Sequence, residues 1–481
     1  MAVQAGNNPQ FCSFTVARDS HFGQGYIVLA PRGCFDLVDM SPTLALAILF
    51  AGLFVGILLG YPVPFIVGGI ALFVGLVAMG PQVVSLLRLR LWEMMTNYIM
   101  LAIPLFIFMG SMVEKSGCAE RLYSGLYLWF GGVRGGLAIS TILVGTVMAA
   151  CVGIIAASVI TLALIGVPSM VRRGYDKELI SGSVCAGGCL GILIPPSIML
   201  VIYGPLASIS VGKLFIGAFG PGLLLSALYI TYIGIRSWLN PALAPSVPPE
   251  ERTVSLWRKL FMLLTGMVPP SILVLSVLGV IFFGIAAPTE AAACGALAAT
   301  LLALAYRRLT WQIFKAALLE TVRISTMALL IGWTASLFTG VFIRLGCGKI
   351  ISSLVLAAPF GNWGAFALIM FVVFILGFLI DWIAIVFILV PIVTPIVPLL
   401  GFDPLWFAVM VCVNLQMALM TPPMAPAIFF LKGVTKPEWG IDTKHIIRGV
   451  APFVALILIG LGVCVAFPDI IMWLPHQMIK F

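Results

Sequence analysis

Arg172-Arg173-Gly174-Tyr175-Asp176-Lys177, followed by Pro195-Pro196, returns later in the chain as Leu399-Leu400-Gly401-Phe402-Asp403-Pro404 followed by Pro422-Pro423. Gly174 and Gly401, Asp176 and Asp403, and Pro195 and Pro422 are each 227 residues apart, and Pro168 precedes Pro395 by the same distance. Upstream, Gly60 and Pro64 match Gly284 and Pro288 at an offset of 224. Gly117-Cys118, Gly132 and Gly135 match Gly346-Cys347, Gly361 and Gly364 at 229. Two halves share one pattern. In an apolar chain, hydrophobic segments interrupted by Gly and Pro at corresponding places of both halves mark broken helices that meet at a binding site.

The chain is apolar enough for that argument. Of its 481 residues 62% are hydrophobic and 9% charged, and its mean hydropathy is +1.18. No soluble core of this length hides so much apolar surface, which makes the chain an all-α polytopic membrane protein. Apolar runs begin near Thr43, Val63, Tyr98, Leu137, Ser181, Leu214, Met262, Thr289, Thr321, Ala365, Leu405 and Ile446. They predict about eleven to thirteen apolar helices.

The net charge of +9 does not point to nucleic acid, because the basic residues stand in short clusters beside apolar runs, as in Arg88/Arg90, Arg172/Arg173/Lys177 and Arg307/Arg308/Lys315. Such clusters mark cytoplasmic loops. The first Gly-aromatic-Asp turn carries one and its twin does not, so the two turns are expected on opposite faces, as an inverted repeat.

Ten cysteines, mostly in apolar segments, argue against a disulfide framework. Cys185 and Cys189, one helical turn apart, suit a helix interface better than a metal site, since no His or carboxylate accompanies them. Residues 1–39 carry Asn7, Asn8, Pro9, Arg18, Asp19 and His21 and hold no long apolar run or signal-peptide pattern, so that stretch is expected to be a disordered tail or to precede the true start at Met40.

The first transmembrane repeat is expected over 40–222, a linker region with a polar cytoplasmic loop over 223–264, the second repeat over 265–467 and a C-terminal tail over 468–481. The linker stretch from Arg236 to Lys259 is rich in Pro and charge. Cys151 to Met170 and Gly377 to Val397 are short apolar stretches with a glycine near the start, and they predict two re-entrant hairpins whose tips face a protein-lined centre.

Pro195-Pro196 and Pro422-Pro423 predict two broken helices, because a proline lacks the amide proton and its ring opposes the preceding turn. Carbonyls near Gly191 to Ile194 and from Leu419 to Thr421 are thereby freed for a cation, with the Thr421 hydroxyl and the Asn414 amide as further oxygens. The opposite broken ends expose amides that favour anionic groups. Asp381 lies in an apolar run; a carboxylate at a helix centre costs about 2.5–3.5 kcal/mol on insertion scales and so calls for a partner. Thr289 and Glu290 make a helix start, with Thr289 as the N-cap. Arg344 and Lys349 are expected to reach the headgroups. Gly340 to Lys349 misses the phosphate-loop spacing, and no zinc-protease motif or nucleophile elbow occurs. No enzyme activity or cofactor is indicated.

At these residues the chain resembles the large membrane subunit of tripartite ATP-independent periplasmic (TRAP) transporters, over about Ser41 to Phe467. The resemblance rests on Arg172-Arg173-Gly174-Tyr175-Asp176, Gly191 to Tyr203 with Pro195-Pro196-Ser197, Ala287-Pro288-Thr289-Glu290-Ala291, Asp381, and Asn414 with Thr421-Pro422-Pro423. It implies an elevator-type sodium symporter in the bacterial inner membrane, importing small organic acids with a small four-helix membrane subunit and a soluble periplasmic binding protein. It places sodium at backbone oxygens around Gly191, Ile194, Pro195 and Pro196 and around Asn414, Thr421 and Pro422, and substrate near Ser197, Asp381 and the tip residues Gly153 and Ile154. The tips depart from the family pattern: Val152-Gly153-Ile154-Ile155 stands where many members have Ser-Gly-Ser-Ser, and Asp381-Trp382-Ile383 where they have Asp-Pro-Thr. With hydroxyls lost at both tips, the expected substrate is less hydroxylated than a sugar acid, such as a 2-oxo or aromatic monocarboxylate. A stand-alone sodium-coupled symporter of the divalent-anion type is the alternative, although its Ser-Asn-Thr motif is absent from the chain.

Overall fold

In the computed structural model, residues 40–248 and 255–478 are described in full, together with the backbone of an antiparallel ribbon pairing Ser13–Ala17 with Val28–Arg32. The expectations for the rest of 1–39 and for the charged centre of the linker lie outside the described residues. The first half gives α1 (Pro42–Leu58), α2 (Val63–Met79), α3 (Gln82–Met95), α4 (Ala102–Lys115), α5 (Cys118–Phe130), α6 (Gly136–Val152), α7 (Ile155–Arg172), α8 (Lys177–Cys189), α9 (Ile198–Ala207) and α10 (Val211–Leu239). The second gives α11 (Leu256–Phe282), α12 (Pro288–Ala305), α13 (Trp311–Arg344), α14 (Cys347–Leu356), α15 (Gly361–Leu376), α16 (Trp382–Val393), α17 (Pro404–Ala418), α18 (Pro426–Val434), α19 (Thr443–Ala466) and α20 (Asp469–His476).

Helices α6 to α9 and α15 to α18 are two copies of one unit: helix, tip, helix, turn, helix, break, helix. In both turns the glycine is left-handed, Gly174 at φ +70 and Gly401 at φ +74. The aspartate then caps the next helix. Asp176 accepts from the Leu179 amide at 3.1 Å, and Asp403 from those of Leu405 and Trp406 at 2.8 and 3.0 Å. Both Pro-Pro bonds are cis. Because Asp403 satisfies two orphan helix amides, Asp403→Ala is expected to cost about 1 kcal/mol and Asp403→Asn very little. Thermal unfolding of the two variants in detergent checks this; equal midpoints would show the cap to be idle.

The longer-range repeat is equally regular. Residues 82–115, comprising α3, a single tight turn at Tyr98–Leu101 and α4, correspond at the 229 offset to 311–344, which is α13. The first copy is jointed at Thr96-Asn97; the second is one helix of 34 residues. The expected pairing of Gly132 and Gly135 with Gly361 and Gly364 does not hold. The left-handed entry to α6 is Gly135, whereas that to α15 is Phe360 and Gly361, because α14 has 10 residues where α5 has 13.

Helix α19 shows that the copies are inverted. Near its start, Gly449 lies against the Glu178 carbonyl, and the preceding Gly440 lies against Lys177. Near its other end the Trp406 indole donates to the Cys464 carbonyl at 3.3 Å. The 24 residues of α19 span about 36 Å at 1.5 Å each, so the two Gly-aromatic-Asp turns lie at opposite ends of the molecule.

Seven helices among the described residues are long and apolar enough to cross a membrane by themselves, and eight more apolar ones are shorter. That is more apolar helices than the eleven to thirteen expected, because tips and breaks divide the apolar runs. The run near Ser181, for example, ends at Cys189. The hairpins are larger than the sequence stretches implied: Gly153 is the tip between α6 and α7, and Gly377 begins the tip between α15 and α16. Ala287, not Thr289, caps α12, while Glu290 accepts from the Ala287 amide at 3.1 Å. The linker is also tighter than expected. Helix α10 runs to Leu239 and α11 starts at Leu256. Between them, Ala244 and Val247 are buried against the first repeat.

Candidate functional site

Each tip lies against the break of its own half. A Cβ on Gly153 would stand 3.2 Å from the Pro196 carbonyl, and the left-handed φ of +64 there already favours glycine. Ile154 follows as the residue before α7. On the same side, the Ser158 hydroxyl points at Gly191 and is buried without a hydrogen-bond partner. At the second tip, Gly377 packs on Ala418 at the end of α17, and Asp381 caps α16 by accepting from the Ile383 amide at 3.3 Å. The halves then interlock: α16 packs on α9, and α7 on α18.

The breaks leave matched acceptors. Among the described residues no backbone amide donates to the carbonyls of Leu193, Ile194 or Pro195, nor to those of Met420, Thr421 or Pro422. These are the same three positions of the repeat, 227 residues apart. Across the second break the Ala427 amide reaches only the Leu419 carbonyl, at 3.2 Å. Oxygens freed in this way are hard acceptors, suited to a small cation.

The two half-sites differ in access. Gly191 to Ser197 are entirely buried, whereas Pro422 and Pro423 are exposed. Asp381, half-buried, borders a cleft of about 10 Å³ walled by Trp382, Ile385, Leu415, Leu419 and Met424. That is room for about one water or one bare ion. An organic molecule does not fit there in this conformation.

Other expected residues take specific partners. The Ser197 hydroxyl donates to the Ile192 carbonyl, inside the first break, so Ser197 and Asp381 sit in different half-sites. Asn414 donates its amide to the Met370 carbonyl at 2.6 Å, tying α17 to α15 and leaving its own carbonyl oxygen available. The Thr421 hydroxyl donates to the Met417 carbonyl at 2.8 Å and keeps acceptor capacity.

Two polar groups were missed from sequence. Ser158 carries the hydroxyl of the first tip one turn further on than the family pattern suggested. Gln416 is buried on α17 with neither amide atom bonded; a glutamine six residues before the Pro422-Pro423 break in an apolar helix was the available signal. Cys412 is also the repeat partner of Cys185, whose thiol points at the Ala427 carbonyl, 3.6 Å away. Among the described residues no cluster of metal-ligating side chains forms; Cys185 and Cys189 are buried, and Cys294 is exposed.

Comparison with known proteins settles the family. Residues 50–470 match the model of the tripartite ATP-independent periplasmic transporter, DctM component. The chain belongs to the DctM family. It is 34% identical to the C4-dicarboxylate TRAP transporter large permease protein DctM of Pseudomonas aeruginosa, over 82% of this chain and 90% of that protein. It is 28% identical to the sialic acid TRAP transporter large permease protein SiaM of Vibrio cholerae, over 80% of this chain and 88% of that one. Among solved structures, the Alcanivorax borkumensis YdaH transporter superposes with a TM-score of 0.59 at 17% identity, over 81% of this chain and 90% of that chain, a likeness of fold alone. As a DctM permease the protein is a multi-pass subunit of a secondary transporter in the bacterial inner membrane, and not an enzyme.

Proposed function

We propose that this permease imports a small organic acid coupled to sodium, with the two tip-and-break units moving as an elevator against the remaining helices and the hairpins entering the membrane without crossing it. The observation that carries the proposal is the matched set of free carbonyls, Leu193 to Pro195 and Met420 to Pro422. Sodium binds at these breaks, with the Ser158 hydroxyl and the Gln416 carbonyl oxygen as nearby ligands, each buried and without another partner. Substrate lies between the tips near Asp381 and Ile154. The apolar side chains of Ile154, Ile155, Trp382 and Ile383 favour a 2-oxo or aromatic monocarboxylate over a polyhydroxylated sugar acid.

A small four-helix membrane subunit and a periplasmic binding protein complete the transporter in this reading. Uptake of labelled organic acids into proteoliposomes tests it, with and without each partner, under an imposed sodium gradient. Uptake that needs both sodium and the binding protein is expected, and a sugar acid should compete more weakly than an aromatic monocarboxylate. Uptake without the binding protein would instead indicate a stand-alone carrier. Ser158→Ala is expected to raise the half-saturating sodium concentration about tenfold, one lost charge-assisted contact being worth about 1.5–3 kcal/mol. An unchanged sodium dependence would remove Ser158 from the ion site.

A further inference from the structure

Helices α10 and α19 pack on each other and on α8. They meet closely at Gly460, where an added Cβ would stand 2.6 Å from the Leu225 side chain. From there toward the cytoplasmic end of α10 a groove of about 440 Å³ opens. Leu228, Tyr232, Ile235 and Leu239 form one stripe of α10 along it, and Leu456 of α19 faces them. Ile235 and Leu239 are exposed. Leu228 and Leu239 are 11 residues apart, about 16 Å of helix, which matches the depth of one leaflet of a hydrocarbon core about 30 Å thick. The solvent of this surface is lipid, so an acyl chain is the occupant that the bilayer itself supplies.

The cytoplasmic end of the groove is charged. Arg236 and Asn240 line it. Arg236 Nη1 donates to the Tyr232 hydroxyl at 2.6 Å, while Nη2 stands 3.9 Å from the carboxylates of both Asp176 and Glu178, beyond hydrogen-bond reach. On α19, Arg448 Nη1 is 3.9 Å from the other oxygen of Glu178, and the Arg448 side chain is 74% exposed. Lys444, one turn before Arg448 on the same helix, is exposed as well. Three cations therefore stand beside two carboxylates, and one of these, Asp176, already caps α8 through the Leu179 amide. Reaching for headgroups explains a single arginine at a helix end. It does not explain two, from different helices, that converge on one carboxylate at the mouth of one groove with donors left over.

We propose that this groove binds one anionic phospholipid of the cytoplasmic leaflet, with an acyl chain along α10 and the phosphate between Arg236 and Arg448. Basic pockets between membrane helices on the cytoplasmic side take acidic headgroups, and a guanidinium offers phosphate two parallel donors. Asn240 adds an uncharged donor at the same level. The site depends on the cytoplasmic placement of the first Gly-aromatic-Asp turn and is independent of any substrate or coupling ion.

The test is native mass spectrometry of the full-length protein after delipidation in detergent, titrated with phosphatidylglycerol and with phosphatidylethanolamine of the same acyl chains. Phosphatidylglycerol is expected to bind one site at least about tenfold more tightly, the preference that two basic side chains at a headgroup supply. Arg236→Gln combined with Arg448→Gln should bring the two lipids within twofold of each other. Arg344→Gln with Lys349→Gln, at the opposite end of the molecule, should leave the preference intact. Ile235→Trp, which fills the groove from an exposed position without altering charge, should weaken phosphatidylglycerol severalfold. If the double arginine variant loses thermal stability, Arg448→Gln alone, at the more exposed position, carries the test with a partial loss of preference. Equal affinity for the two lipids, or a preference that survives the arginine substitutions, would leave only non-selective lipid at this surface and overturn the proposal. Displacement of the lipid by millimolar inorganic phosphate would show an anion site that makes no use of the groove, and would overturn it too.

Discussion

Asp381→Asn is expected to lower the initial rate of uptake by at least about a hundredfold while leaving the thermal midpoint within about a degree of the parent protein. Asparagine caps a helix nearly as well as aspartate, so the bond to the Ile383 amide survives and only the charge is lost. In the proposed mechanism the Asp381 carboxylate contacts the substrate, and a hundredfold loss corresponds to about 2.8 kcal/mol. Asp381→Ala should lose the cap as well, and so fall in both uptake and stability. The check is parallel measurement of both variants in proteoliposomes and by thermal unfolding. Uptake by Asp381→Asn within twofold of the parent would reduce Asp381 to a helix cap.

Gly449→Leu is expected to prevent recovery of folded protein. A Cβ at Gly449 would stand 2.1 Å from the Glu178 carbonyl, and one at Gly182 on the facing helix would stand 2.2 Å from the Gly449 carbonyl. Helices α8 and α19 therefore touch backbone to backbone, the small-residue packing that holds helices together in lipid. Overpacking of a well-fitted interior costs about 1–3 kcal/mol for a few added atoms, and here the obstacle is main chain that cannot rotate aside. Gly449→Ala should give a partial loss. Size-exclusion profiles of both variants after mild solubilisation decide it; a monodisperse Gly449→Leu protein would show that α19 can move away from α8 without cost.

The duplicated turn and the Pro-Pro pairs were legible because they depend on residues with few substitutes: glycine at positive φ, aspartate as a cap, proline where an amide must be missing. The inversion was legible too, from Arg172, Arg173 and Lys177 against an uncharged twin. Helix extents were not. Nothing in the composition of 136–172 marks Gly153 as a tip between two full helices, since a glycine in an apolar run is equally compatible with continuous helix in lipid. The seat of the linker was not legible either. Its prolines and charges indicate a polar loop but do not show that Ala244 and Val247 are buried against the first repeat. Gln416 escaped notice because a single amide in an apolar helix acquires meaning only once its surroundings offer it no partner.

The joint at Thr96-Asn97 has a mechanical consequence. Duplication supplied two levers of equal length, 82–115 and 311–344, but one is articulated and the other is a single rod. A helix yields first where its hydrogen-bond ladder is interrupted, so strain between the halves relaxes at Thr96-Asn97 before it bends the middle of α13. The duplicated tips and breaks follow one pattern in the two halves, but the helices that flank them do not, so the halves differ in where they can bend.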